Sequence, residues 1–326
     1  MRQFQYATAR SVQAAHDLGS AGAAMFIAGG TDMLQLLQED VLAPDTLVDI
    51  SHLPYSGLRA DEDGARIGAL ARLADVADDQ NIQRLYPMLA LALKETASPQ
   101  VRNMATVGGN LLQRTRCLYF RDRAVPCNKR APGSGCPAQT GQNRMNAILG
   151  GSEACIAAYP GDMAVALVAL NASIEIRGRS GLRFLKVENL HRLPGNTPHI
   201  ETDLQPGEII AAIRLPRSPV AAHSHFLKVR DRASFEWALV SVAVGLEIQD
   251  GKVQRASVVA GSVGTKPWRL HPVEARLAGK TLDLPCVKDA SSAAGEGAQP
   301  RAGNAFKVAL LEHAVERAVL TAGGLA

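Results

Sequence analysis

Residues 113–150 constrain this chain more than any other stretch. They are polar, rich in Gly, Pro and Arg, carry three cysteines and show no sustained apolar period. So long an irregular segment inside a compact domain is expected to be functional, or ordered by something other than a core. A fourth cysteine, Cys155, follows closely after Cys117, Cys127 and Cys136, at gaps of nine, eight and eighteen residues. Zinc sites usually contain a tight C-x₂₋₄-C pair, and none is present. Four thiolates on a long loop suit a [4Fe–4S] cluster, and free cysteines in a surface loop are the plainer alternative. Arg116, Arg121, Arg123, Lys129 and Arg130 would offset the negative charge of such a site. Cys286 stands apart and reads as structural.

On either side of this stretch the pattern is regular. A helix over 11–18, a strand over 25–28, a helix over 33–39 and a strand over 46–50 make a first small α/β unit. A strand over 66–69 and helices over 73–79 and 87–97 follow, with 98–110 expected as loop because of its Gly, Asn and Pro. Beyond the cysteine stretch come strands over 154–158, 173–177 and 209–215, and a helix over 162–169. Residues 216–222 read as a linker. Strands over 240–248 and 253–259 flank Asp250-Gly251, a dipeptide that readily forms a tight hairpin turn. Helices over 272–277 and 306–320 complete the chain, with 289–304 expected as a mobile loop.

Composition narrows the classes. The chain has 326 residues, enough for two or three domains. An apolar fraction of 47% with 20% charged residues is ordinary for a protein with sizeable cores. A net charge of +4, with its basic residues scattered, gives no nucleic-acid stripe. No apolar run approaches the roughly 18 residues of a membrane span. Met1–Tyr6 has no apolar signal region, so folding in the cytoplasm is expected, with export possible beside a signal-bearing partner. Hydrolase signatures such as G-x-S-x-G and H-E-x-x-H are absent, and the eight histidines are dispersed.

Two Gly-Gly segments carry ligand chemistry. Phe26-Ile27-Ala28-Gly29-Gly30-Thr31-Asp32 runs from a strand through a Gly pair into a helix. Without Cβ atoms the backbone can come close to a ligand and its N–H groups can converge on a phosphate. Thr106-Val107-Gly108-Gly109-Asn110, preceded by Gln100–Asn103, repeats the pattern. Either pair alone is as easily a turn. Two of them suit the pyrophosphate of a dinucleotide, and neither carries the Rossmann fingerprint.

Taken together these segments resemble the FAD-binding medium subunits of the molybdenum hydroxylases, the xanthine dehydrogenase and aldehyde oxidoreductase family. Ile27–Asp32 looks like the family's first FAD loop and Arg102–Asn110 (RNMATVGGN) like its second. PGDMAVAL at 160–167, KVRDRASFEWALVSVAV at 228–244 and VAGSVGTKPWR at 259–269 also match. RTRCLYFRDRAVPCNKR at 114–130, PGSGC at 132–136 and SEACI at 152–156 look like the periplasmic aldehyde oxidoreductase type. Many medium subunits lack this insert, and the hydroxybenzoyl-CoA reductase type writes its surroundings differently.

The resemblance implies an α+β fold. A two-part FAD-binding domain of the vanillyl-alcohol-oxidase (PCMH) type would span 1–217, with subdomains at about 1–54 and 55–217 and the iron–sulfur loop at 113–155. A C-terminal domain with an antiparallel sheet, of the CO dehydrogenase flavoprotein C-terminal type, would span 223–326. It implies FAD held by Ile27, Ala28, Gly29, Gly30, Thr31, Asp32, Arg102, Thr106, Gly108, Gly109 and Asn110. Asp162 would accept from a ribityl or ribose hydroxyl, or simply cap its helix, and Lys228 and Arg230 would approach the flavin, or lie on a solvated strand. Cys117, Cys127, Cys136 and Cys155 would hold a [4Fe–4S] cluster. The partners would be a [2Fe–2S] small subunit and a molybdenum-cofactor large subunit in a heterotrimer, with an external electron acceptor. The complex would be periplasmic through a partner's signal, or else cytoplasmic. A medium subunit of the xanthine or hydroxybenzoyl-CoA type, a self-contained flavin oxidase and a zinc-stabilised binding protein are the alternatives.

Overall fold

Three sheets organise the chain in the computed structural model, which describes residues 1–326. Gln5–Thr8 (β1), Ala24–Ile27 (β2) and Thr46–Asp49 (β3) form a parallel sheet in the order β1-β3-β2. The central β3 buries Leu47 and Val48. Helix Val12–Gly19 starts where the Ser11 hydroxyl accepts from the Ala14 N–H at 3.1 Å, satisfying a donor that the first turn leaves unpaired.

The second sheet contains Leu58–Asp61 (β4), Gly64–Gly68 (β5), Ser173–Gly178 (β6), Gly181–Lys186 (β7) and Ile209–Pro216 (β8). Its order is β4-β5-β8-β6-β7, with antiparallel neighbours throughout. The apolar run Ile209–Ile213 takes the middle, where both faces are covered. Glu175 is buried in β6 and is held by Arg66 at 2.7 Å and by Arg214, so its charge is paired.

His223–Val229 (β9), Val240–Gln249 (β10), Lys252–Gly261 (β11) and Trp268–Arg269 (β12) form the third sheet, in the order β12-β11-β10-β9. Asp250 and Gly251 turn the hairpin at φ of 52° and 73°. β10 is buried along most of its length, and its successive residues alternate between two covered faces, large side chains on one and small on the other. Val240, Val242, Val244 and Leu246 enter the core beneath helices His271–Leu277, Leu284–Ser291 and Phe306–Ala322. Ser241, Ala243 and Gly245 present a small-residue face to the rest of the molecule, and Ala243 joins the largest core. Helix Asp162–Ala169 lies between the sheets with every residue buried, which is why its sequence is apolar all round.

Several expectations change. Residues 98–110 are not loop: they form helices Pro99–Met104 and Val107–Leu111, capped by Ser98 and Thr106. Ser-Pro at a helix start is a recognised signal, and the Gly-rich composition hid it. Residues 154–158 are not a strand, because Cys155 exchanges backbone hydrogen bonds with nearby Ser152. Residues 289–304 are not a free loop. A helix capped by Asp283 runs to Ser291, and Asn304 is fully buried. Val220 and Ala221 are buried within 216–222, so this connection is packed. β1, β4, β7, β9 and β12 are additions to the sequence reading. No helix is long and apolar enough to cross a membrane.

Candidate functional site

A cleft of about 770 Å³ opens where the first sheet, the two Gly-Gly segments and the third sheet's domain meet. That volume lies within the range typical of small-molecule sites. Of the residues named from sequence for FAD, Ile27–Asp32, Thr106, Gly108, Gly109 and Asn110 line it, and Arg102, Asp162 and Lys228 do not.

The two Gly-Gly segments turn out to differ in kind. β2 delivers the chain into the first, and the backbone N–H groups of Gly29, Gly30, Thr31 and Asp32 donate to nothing within the protein. A Cβ on Gly29 would overlap the Met104 carbonyl oxygen, so this glycine lets the first loop lie flat against the second. In the second segment four of the five backbone donors are already spent. Val107 N–H donates to Ala71 O at 3.0 Å, Gly108 N–H to Ala69 O at 2.7 Å and Gly109 N–H to the Thr106 hydroxyl at 3.2 Å. Asn110 N–H closes the helical turn on Thr106 O at 2.8 Å. The expectation that this whole backbone cradles phosphate narrows to the Thr106 N–H, since the other four donors are consumed within the protein. Gly108 is small because Ala69 sits against it. What the segment offers instead is the side-chain oxygen of Asn110, buried and without a partner.

The side chain of Asp32 has a task besides its backbone N–H. Its carboxylate accepts from Arg121 at 2.8 Å, from Arg116, and from the Arg114 N–H at 2.8 Å. Burial opposes its charge, yet Arg116 and Arg121 outweigh burial and hold the carboxyl below its ordinary range. Asp32 thus ties the first loop to the start of the cysteine stretch. Arg102 donates to Thr96 O at 2.8 Å and fixes the turn behind the cleft. Asp162 and Lys228 form a buried ion pair at 2.7 Å, one layer behind Thr96. Burial drives the Asp162 carboxyl up and the Lys228 ammonium works against it. The cap role proposed for Asp162 gives way, since Gly161 occupies the cap position, and Lys228 takes one oxygen of a carboxylate that does not line the cleft. Arg230 pairs with Glu95 rather than entering the cleft.

Sequence reasoning missed the cleft's far wall. Arg232, Phe235 and Trp237, from the loop after β9, line it, and the Arg116 guanidinium lies over the Trp237 ring at 4.2 Å. Two aromatics in one short loop, in a chain with only 4% aromatic residues, were the available signal.

Cys117, Cys127, Cys136 and Cys155 line one small pocket beside the cleft, with Lys129 and Asn146. All four are free thiols. N–H groups reach their sulfurs: Asn146 Nδ2 lies 3.5 Å from Cys117 Sγ, and Ala157 N–H donates to Cys155 Sγ at 3.4 Å. Burial pushes the Cys155 thiol up to about 11, with Lys129 opposing. The basic residues are already paired, contrary to expectation, and Lys129 itself meets Glu201 at 2.7 Å. Arg116 and Arg121 serve Asp32, Arg123 pairs with Asp40, and Arg130 ties down the carbonyls of Tyr119 and Phe120. Only one bond along the chain separates Arg116 of the cleft from Cys117 of the pocket.

A cleft with unspent loop donors and no Rossmann pattern, closed by a second domain, defines a two-domain dinucleotide-binding protein. The match to known families is specific. The model of the FAD binding domain in molybdopterin dehydrogenase covers residues 2–218, and that of the CO dehydrogenase flavoprotein C-terminal domain covers 225–322. The Escherichia coli aldehyde oxidoreductase FAD-binding subunit PaoB is 45% identical over 289 residues, covering 88% of this chain and 87% of that one. The glyceraldehyde dehydrogenase medium chain of Sulfolobus acidocaldarius is 27% identical over 267 residues, 82% and 77% of the two chains. Carbon monoxide dehydrogenase from Hydrogenophaga pseudoflava shares the fold, with a TM-score of 0.77 at 24% identity, over 100% of this chain and 99% of that one. The chain belongs to the FAD-binding medium subunits of the molybdenum hydroxylases. It is an oxidoreductase subunit, as those relatives are.

Proposed function

We propose that this chain is the FAD and [4Fe–4S] electron-transfer subunit of a molybdenum-dependent aldehyde oxidoreductase. It takes electrons from a [2Fe–2S] small subunit and passes them to an external acceptor, while a large subunit oxidises the aldehyde at its molybdenum cofactor. The observation that carries this reading is the convergence of four widely spaced cysteines on one pocket beside the flavin cleft. The relation to PaoB supports the choice of aldehyde over xanthine or hydroxybenzoyl-CoA.

The residues fit both groups. The unspent N–H groups of Gly29–Asp32 would meet the pyrophosphate, and Asn110 Oδ1 would accept from a ligand hydroxyl or amide. Arg116 and Trp237 would close the cleft against water. Cys117, Cys127, Cys136 and Cys155 would ligate the cluster, with N–H groups already directed at two of the sulfurs. No group of three or more His, Cys, Asp or Glu is arranged to hold a single metal ion. Flavin supplies the capacity to exchange electrons singly or in pairs, and the protein's task is to bind and orient it. Export to the periplasm beside a signal-bearing partner belongs to the same proposal.

Absorption and metal analysis of the purified complex test it. Flavin bands over a broad iron–sulfur shoulder are expected, and stoichiometric zinc without iron would overturn the reading. Cys127→Ser should remove this cluster's signal while FAD stays bound, because the flavin cleft does not include that residue.

A further inference from the structure

Lys307 opens the C-terminal helix with its side chain fully buried, yet no carboxylate pairs with it. Its ammonium donates only to backbone carbonyls, Asn146 O at 3.2 Å and Ser262 O at 2.9 Å. Asn304, one turn earlier, clasps the same segment through Asn146 O and Ala147 O. A buried cation without a counter-charge is costly, and proteins rarely keep one unless something pairs with it. Burial pushes the ammonium down to about 7, and the neighbouring Arg144 adds to the effect.

Asn146 indicates where the missing charge lies. Its carbonyl accepts from Lys307, and its side chain lines the cysteine pocket with Nδ2 directed at Cys117 Sγ. Four thiolates around an iron–sulfur core carry net negative charge, on the far side of this single residue from the ammonium. We propose that Lys307 is a positioning residue for the four-cysteine site, the buried counter-charge that acts through Asn146 to favour the cluster's reduced state. The inference rests on reading that site as a [4Fe–4S] centre. It assigns to the C-terminal domain, which contributes no cysteine ligand, a part in setting the potential.

Redox titration of the assembled complex, followed by electron paramagnetic resonance, tests the inference. Lys307→Gln keeps a donor and loses the charge, and Lys307→Met loses both. Each is expected to shift the oxidised-to-reduced ratio about tenfold at fixed potential, a midpoint about 59 mV more negative for one electron. A wild-type midpoint in Lys307→Gln with full iron content would overturn the proposal, since hydrogen bonding alone would then suffice. Should neither variant fold with its cluster, the cluster-free Cys127→Ser complex decides. There Lys307 has no counter-charge, so adding Lys307→Met should raise the thermal midpoint of this subunit, and an unchanged or lower midpoint counts against the inference. A wild-type complex without a cubane signal would instead refute the site reading itself, whereas a cubane with an unmoved potential refutes this inference alone.

Discussion

Asp32 shows how far a residue's chemistry depends on its partners. As part of a Gly-Gly-Thr-Asp loop it reads as a ligand group, but its carboxylate holds two guanidinium groups and a backbone N–H. Asp32→Asn keeps the shape and loses the charge. It should cost roughly 1.5–3 kcal/mol, as losing charge-assisted hydrogen bonds at a half-buried carboxylate does, and lower flavin per chain. Denaturant unfolding and flavin content measure both. His191 is a second case. It is buried against Tyr159 with ring centroids 4.1 Å apart, and its Nε2 lies 2.9 Å from Leu111 O. Burial holds it at about 4 in the fold, against 6.5 for a free imidazole. As pH falls the unfolded chain therefore takes up its proton first, so stability is lost between about 6.5 and 4, approaching about 3 kcal/mol. His191→Gln should flatten that part of the stability–pH curve. An unchanged slope would mean that His191 is charged in the fold.

Among the elements, the short helix Val107–Leu111 does the structural work that its glycines suggested a ligand would need. Its donors go to Ala69, Ala71 and Thr106, and both His191 and the Tyr159 hydroxyl, at 3.0 Å, meet the carbonyl of Leu111 at its other end. Gly29 and Gly109 should therefore respond differently to alanine. At Gly29 the new Cβ would meet backbone that cannot yield, so the two loops must part, and both stability and flavin retention should fall. At Gly109 the nearest obstacle is the Thr106 hydroxyl at 2.9 Å. The cost there should be that of a disturbed cap, about 1 kcal/mol. Comparing thermal midpoints of the two variants separates these outcomes, and equal losses would contradict the packing described for Gly29.

At the scale of the whole molecule, domain docking completes the site. The small-residue face of β10 admits helix Asp162–Ala169, and the Asp162–Lys228 pair fastens the two halves at 2.7 Å. Lys228→Met should cost about 3–5 kcal/mol because it leaves Asp162 buried without its cation. Pairing it with Asp162→Leu should recover most of that loss, and unfolding of the two variants gives the comparison. The same docking brings Trp237 to Arg116. Trp237→Ala removes a cation–π contact of roughly 0.5–2 kcal/mol, so FAD affinity should drop about two- to thirtyfold in a fluorescence titration of the flavin-free complex.

By itself the sequence determined whatever depends on neighbours along the chain. Helix Asp162–Ala169 was legible because burial on all sides requires an unbroken apolar run, and the β10–β11 hairpin because Asp-Gly suits its turn. The cysteine set was legible because four thiolates in an otherwise irregular stretch have few uses, and the strand-to-glycine entry of the first loop because free N–H groups need that geometry. Other features only the tertiary structure decided: the spent donors of the second loop, the partners of Asp32 and Asp162, the aromatic wall from the C-terminal domain and the buried ammonium of Lys307. Each depends on groups far apart in the chain, such as Asp32 with Arg121 or Lys307 with Asn146. A side chain's charge and hydrogen-bonding capacity are written in its type, but the group that satisfies them is chosen by packing.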